Sequence, residues 1–389
     1  MVDVVVCFLR ADGRILLYRR ENERRWRVPS AEAGGEADGV ARRLCREWAA
    51  ETTHVRAGDP VEVDGSRLLP YLFECEPGEM EAGIETAWVH ATEIRRRETV
   101  EGSWRAYRSV SPTVGSVRDD RTHGSAYVSV RALEVLRDRA GEGADWTALA
   151  ERATALLEAR PSMAALGNRI DRAMWAASED ESPAALERAA WEEIDRALAA
   201  DGEAAENAAE RLEGTVLTLS RSGTVAEALS AGEPERVVVL ESRPDREGVG
   251  VAERLAESLD VTLTLDAAVA HLMEEVDVLL VLADGGVVNK VGTRTAAVVA
   301  AREGVPAYAV AAADKISPST EPTLESVERG AITESEAVTV ECPLFDRTPP
   351  ELVSGVITED GVLDAAGIRE RAREHERRAR WKEPNPSEG

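Results

Sequence analysis

The chain has 389 residues, few aromatics and a formal net charge of −26, with its acidic residues spread along the whole length. A chain this long predicts two or three units of about 100–200 residues, and no stretch approaches the roughly 18 apolar residues of a membrane span. Diffuse acidity disfavours non-specific contact with nucleic acid and suits a salt-rich cytoplasm, where it keeps the surface hydrated.

Met1-Val2-Asp3-Val4 places no basic segment ahead of an apolar one, so the expected location is the cytoplasm. Short strand-like runs follow at 2–9, 14–18, 68–75 and 86–90, the first two joined by the turn Ala11-Asp12-Gly13. An amphipathic segment at 40–51 interrupts them and predicts a helix. A helix carrying Leu133 and Leu136 then leads to 139–145, whose glycines predict a linker after a first domain at 1–138. Cysteines 7, 45, 75 and 342 lack paired metal spacing and are expected to be buried and reduced.

The second half opens with helical spacing at 146–158, 163–177 and 183–200, giving a helical segment over 146–213. Strand and helix then alternate across 214–382. Strands are expected at 215–219, 236–240, 261–265, 276–282 and 307–310, with helices at 225–229, 250–259, 269–273 and 293–302. Near-continuous Val/Leu strands in such alternation predict a parallel sheet covered on both faces, with ligands bound beyond the carboxyl ends of its strands. Residues 383–389 read as a disordered tail.

Arginine outnumbers lysine 44 to three, and two of the three lysines, Lys290 and Lys315, fall at predicted strand ends. A retained lysine marks a place that wants a compact ammonium rather than a planar fork. Other strand-end residues suit an anion too: Ser220, Arg221 and Ser222 after the first strand, Arg243 after the second, and Asn289, Lys290, Gly292 and Thr293 after the fourth. Each alone is an ordinary turn or cap; together they predict a phosphate cradle.

Thr218 to Thr224, Glu241-Ser242-Arg243-Pro244, Asn289-Lys290-Val291-Gly292-Thr293 and Phe345-Asp346-Arg347-Thr348-Pro349-Pro350-Glu351-Leu352 resemble the translation initiation factor 2B alpha/beta/delta family. That family includes ribose-1,5-bisphosphate and methylthioribose-1-phosphate isomerases. Arg160-Pro161-Ser162-Met163, with Asn168 after it, resembles the family's helical segment and adds Arg160 to the ligand set. The resemblance implies a helical region before a Rossmann-like domain, a sugar-phosphate or nucleotide pocket, and a homodimer through the carboxyl-terminal domain. The family's isomerases use a cysteine where this chain has Ser220 and an aspartate where it has Leu279. Asp277 and Asp284 are the nearby acids, at spacings that fit neither role. A serine is a far weaker acid than a thiol, so the expectation is binding without isomerisation.

Val4 to Leu9, Asp12 to Arg20 and Trp26-Arg27-Val28-Pro29 resemble the opening strands of a Nudix domain, which implies an α/β/α sandwich. Arg46-Glu47-Trp48-Ala49-Ala50-Glu51 falls where the Nudix helix should be. That chemistry holds Mg²⁺ with carboxylates on one helix face, and Glu47 and Glu51, one turn apart, supply the candidate catalytic and metal-binding pair. Ala50 replaces a paired glutamate and Thr53 a glycine, while the earlier acid is Asp38 or Glu36. Histidines 54, 90, 123, 271 and 375 are scattered, and the interleaved charges of 369–382 predict a solvated terminal helix.

The expected protein is therefore α/β: a Nudix-like module, then a helical segment and a Rossmann-like sheet binding a phosphorylated small molecule. Occupancy is expected to adjust a protein partner or the Nudix-like module. Two alternatives stay open: an Mg-dependent hydrolase of a nucleoside diphosphate derivative with a sensing second domain, and a ribose-1,5-bisphosphate-type isomerase.

Overall fold

A computed structural model describes the chain except residues 22, 79–82, 283–287, 318–325, 328 and 383–389. Asp284 and the expected disordered tail thus lie outside the described residues. The chain divides into two units, each assembled from several segments. Unit 1 comprises Met1–His123, Val130–Ala159 and Ala176–Asp195; unit 2 comprises Gly124–Ser129, Arg160–Trp175 and Arg196–Gly389.

Unit 1 holds strands β1 (Val2–Ala11), β2 (Arg14–Arg20) and β3 (Ser30–Glu32), helix α1 (Ala37–Arg46), and strands β4 (Ala49–Ala57), β5 (Val61–Val63), β6 (Ser66–Pro77) and β7 (Ile84–Val89). Their order is β4-β6-β1-β2-β7, with β3 on β1 and β5 on β6; β1 and β6 run parallel and the other pairs antiparallel. Asp12 and Gly13 both have positive φ, as a two-residue hairpin between β1 and β2 requires. Val5, Cys7 and Leu9 of β1 pack with Val40, Ala41 and Leu44 of α1, whereas Val6 and Phe8 join Tyr107 in a second cluster. That two-faced burial explains the unbroken apolar run of β1.

Helices α2 (Ser103–Val110), α3 (Val114–Asp119), α4 (Ser125–Gly141) and α5 (Trp146–Ala159) follow. The linker expected at 139–145 is instead the end of α4 and a turn with Gly143 at positive φ. The physical reason lies in charges on α4. Arg10 of β1 donates to Glu74 and to Glu134, while Arg137 is fully buried on Asp138, the Tyr107 hydroxyl and the Gly13 carbonyl. A guanidinium removed from water needs such partners, and they fasten α4 to the first sheet.

Unit 2 draws on α6 (Ala164–Ala177) and on α7 (Pro183–Ala209), which runs past the expected end at residue 200. Then come β8 (Thr215–Leu219), α8 (Gly223–Gly232), β9 (Arg236–Leu240), α9 (Glu247–Leu255), β10 (Val261–Thr264), α10 (Val269–Leu272), β11 (Val278–Leu282), β12 (Val288–Lys290), α11 (Thr293–Glu303) and β13 (Ala307–Val310). β14 (Phe345–Arg347), β15 (Gly355–Thr358), β16 (Gly361–Leu363) and α12 (Ala365–Arg378) complete it. The main sheet is ordered β10-β9-β8-β11-β13-β15-β16, parallel except for β16. Strand order reverses between β8 and β11. One face packs α11 and Ile368 of α12, the other the end of α7 with α8 and α9.

Replacing Arg137 with leucine leaves the fully buried Asp138 with Arg108 as its one remaining cation among the described residues and should cost about 3 kcal/mol. Urea unfolding would show it as a lowered midpoint; a loss below about 1 kcal/mol would mean that the network is not what holds α4.

Candidate functional site

Apart from Arg160, the residues expected to line the cradle follow the carboxyl ends of parallel strands in unit 2. Ser220 leaves β8 with φ 72, and its N–H donates to Ser242 Oγ at 2.6 Å, tying the first strand-end loop to the second. Ser242 itself has φ 63 and donates from Oγ to the Leu240 carbonyl. Asp266, after β10, accepts the Ser242 and Arg243 N–H groups at 2.8 and 2.7 Å. Left-handed backbone at non-glycine residues costs about 1–3 kcal/mol each and persists where surroundings over-determine it, often at functional sites. Gly248 permits the tight return into α9, because a Cβ there would lie 2.0 Å from the Leu240 carbonyl oxygen.

Arg221 and Arg243 are exposed, and among the described residues neither side chain carries an ion pair. Ser222 is occupied as the N-cap of α8, accepting from Val225 N–H. Lys290 is buried against Asp245 of the β9–α9 loop at 3.3 Å and Glu247, the first residue of α9, at 3.1 Å. Lys315 is likewise buried, 2.7 Å from Asp201 of α7. Thus the two lysines stand where expected, but already neutralised. Asp201, Asp245 and Glu247 escaped the sequence reading; Asp245 and Glu247 flanking Arg246 between Pro244 and Gly248 were the available signal.

β12 pairs with β14, so Asn289 faces Asp346 and the two family-like motifs form one ribbon. Asn289 donates to the Leu282 carbonyl at 2.6 Å, while its Oδ1 is buried without a partner among the described residues. Gly292, at φ 100, precedes α11, and Thr293 opens that helix fully buried. The Asp346 carboxylate accepts the N–H groups of Gly292 and Arg294, filling the helix end with an internal anion. Burial pushes its pKa upward, and the two N–H groups oppose that shift. Arg160 lies half-buried in the turn between α5 and α6.

The turn that presents Lys315 is clamped from several elements. Asp314 is fully buried between Arg169 at 3.1 Å and Arg172 at 2.6 Å; burial would raise its pKa, but these cations hold it below the usual carboxylate value. Asn168 donates to the carbonyls of Asp314 and Ile316. Glu359 accepts the Ala313 N–H, and His375 Nε2 lies 3.2 Å from the Ala313 carbonyl.

One expectation is corrected. Glu47 and Glu51 do not share a helix face: α1 stops at Arg46, Glu47 caps it, and Glu51 belongs to β4. Trp48 packs against Tyr18 with ring centroids 4.2 Å apart, and the β-branched run after Glu51 pairs with β6, which ends the helix early. Among the described residues no group of three or more His, Cys, Asp or Glu could hold a metal ion. Asp277 lies at the opposite end of its strand, where its carboxylate accepts the Thr215 N–H. Leu279 is buried inside β11.

An open parallel sheet whose strand order reverses between β8 and β11 defines a doubly wound α/β domain of the Rossmann-like class. Residues 121–365 match the Initiation factor 2 subunit family, and the chain belongs to it. A ribose 1,5-bisphosphate isomerase of Haloterrigena turkmenica is 32% identical over 296 residues, covering 65% of this chain and 90% of its own length. A methylthioribose-1-phosphate isomerase of Pseudomonas putida is 29% identical, covering 68% and 87%. A solved structure of the Pyrococcus horikoshii translation initiation factor eIF-2B aligns with TM-score 0.53 and 26% identity, over 65% of this chain and 95% of that one. No helix among the described residues is long and apolar enough to cross a membrane.

Burial holds the His375 pKa down near 4, from 6.5. The unfolded chain therefore binds this proton first, so the stabilisation is complete above pH 6.5 and is lost as pH falls towards 4. His375→Gln should flatten the slope of unfolding free energy across that window by about 2–3 kcal/mol in total. An unchanged slope would show that His375 is not the group responsible.

Proposed function

We propose that unit 2 binds a phosphorylated sugar or nucleotide without isomerising it, and that occupancy regulates a protein partner or unit 1. The observation that carries this reading is the convergence of Arg221, Arg243 and Lys290 on one rim through hydrogen-bonded strand-end loops. Arg221 and Arg243 would take the phosphate, Ser220 and Thr293 would bond it, and Asn289 with Lys315 would orient the sugar. Ser220 and the buried Leu279 leave the rim without the thiol and carboxylate that sugar-phosphate isomerisation requires in the related enzymes. A homodimer through unit 2 in the cytoplasm accords with this reading.

A second reading gives unit 1 a Nudix-like hydrolase activity. It draws on a cleft of about 320 Å³ over β1 and β6, lined by Val4, Val6, Val28 and Leu68 with Arg25 and Arg27 beside them. The separation of Glu47 from Glu51 weighs against it, because Mg²⁺ demands near-octahedral oxygen ligands.

Arg243→Ala should weaken ribose 5-phosphate or AMP binding about 10- to 100-fold in calorimetry, with the fold unchanged, since a charged hydrogen bond contributes about 1.5–3 kcal/mol. Wild-type affinity in that variant would remove the rim as the site. For unit 1, no Mg²⁺-dependent release of nucleoside monophosphate from nucleotide sugars is expected; release abolished by Glu47→Gln or Glu51→Gln would establish the hydrolase instead.

A further inference from the structure

We infer that unit 1 binds an organic ammonium, a primary amine carrying an apolar body, in the cleft over β1 and β6. Val4 and Val6 alternate with Val5 and Cys7, which pack with α1, so the cleft opens on the sheet face away from that helix. Its floor continues the apolar layer of Phe8 and Tyr107 outward to solvent. Val6 and Val28 are buried there, but Val4, Val63 and Leu68 are only half-buried and Val100 is 37% exposed, so apolar surface remains for a ligand to cover. A volume of about 320 Å³ lies at the small end of the roughly 300–1,000 Å³ of ligand pockets and fits one ring or a branched chain.

The charges around the cleft select the sign of the ligand. Arg25 and Arg27 border it, and each already has a carboxylate outside it: Arg25 lies 3.6 Å from Glu98 and Arg27 3.0 Å from Glu23. Asp64 and Glu101 also line it, and among the described residues neither has an ion pair or a side-chain hydrogen bond. Both carboxylates stand at the β5 end. The chain from Val100 to Ser103 starts beside Trp26, whose carbonyl accepts the Val100 N–H, and crosses to β5, where a Cβ on Gly102 would lie 2.4 Å from Val63 Cγ2. Glu101 and Asp64 are the immediate neighbours of Gly102 and Val63 in the chain. Arg105 fastens α2 to the same strand by donating to the Glu62 carbonyl. An ammonium bound by the two carboxylates lays its body on the valine and leucine floor. A metal ion would gain nothing from that floor, and a carboxylate or diphosphate would meet two uncompensated anions. The cleft thus disfavours the diphosphates that a hydrolase would take, and the inference is independent of the phosphate-binding reading of unit 2.

The test is calorimetry on the full chain at neutral pH, with the fold of each variant checked by circular dichroism. The probes are phenethylamine, its neutral analogue 2-phenylethanol and its anionic analogue 3-phenylpropionate, with ADP-ribose as the diphosphate. Phenethylamine should bind about tenfold more tightly than the alcohol, because its hydrogen bonds are charged, and neither anion should bind in the cleft. Asp64 has positive φ, a conformation that asparagine tolerates, so Asp64→Asn keeps the turn. That variant and Glu101→Gln should each weaken the amine about tenfold and leave the alcohol unchanged. Ser30→Trp, at an exposed position on the cleft edge, should abolish binding of both. No binding of the amine, equal affinity for amine and alcohol, amine binding that survives the charge variants or Ser30→Trp, or a preference for either anion would each overturn the inference.

Discussion

A carboxylate with no access to water must be met by cations, and in unit 2 that requirement falls on Asp314. Arg169 and Arg172 of α6 satisfy it, and Asn168 one residue earlier takes two carbonyls of the same turn. Removing one partner from such a cluster leaves an uncompensated charge, so the turn cannot drift without large cost. Lys315 follows Asp314 directly, and its ammonium is delivered to Asp201 with the same rigidity. The rim is therefore built by positioning from behind: the residues that face a ligand are few, and those that fix them are many.

Much of this was legible from the residues. The Asp12-Gly13 turn, the Val/Leu strands and the strand-end positions of Ser220, Arg243 and Lys290 follow from local patterning, which tertiary structure here reinforces. The end of α1 was not legible. Residues 40–51 carry helical spacing, yet Thr52, Thr53 and Val55 prefer a pleated surface, and pairing with β6 decided the contest. Similarly, 139–145 has a linker's composition, but the buried arginine pairs of α4 lie just before it and bind that helix to the first sheet. Long-range charge pairing leaves no periodic trace in a sequence, which is why Asp201, Asp245 and Glu247 were missed.

The charges on the rim follow a pattern. Lysines that a sequence reading assigns to a ligand are held by carboxylates, and the amino end of α11 is filled by Asp346. Under the proposed reading, the exposed Arg221 and Arg243 are the cations left for an incoming anion. A site so arranged keeps its internal cations compensated when empty, which suits a protein whose ligand comes and goes more than one that must drive a proton between carbons.

The strand order also bears on how the chain matures on the ribosome. β8 pairs with β9 soon after both emerge, but its other edge is completed only by β11, whose Val278 lies beside Val216. About sixty residues, or several seconds of synthesis at about 5–20 residues per second, separate the two partners. Throughout that interval the nascent half-sheet carries a bare apolar strand edge, the kind of surface that invites mispairing. Early cover for that edge, whether by a chaperone or by the helices already made, is thus a demand that the topology itself imposes.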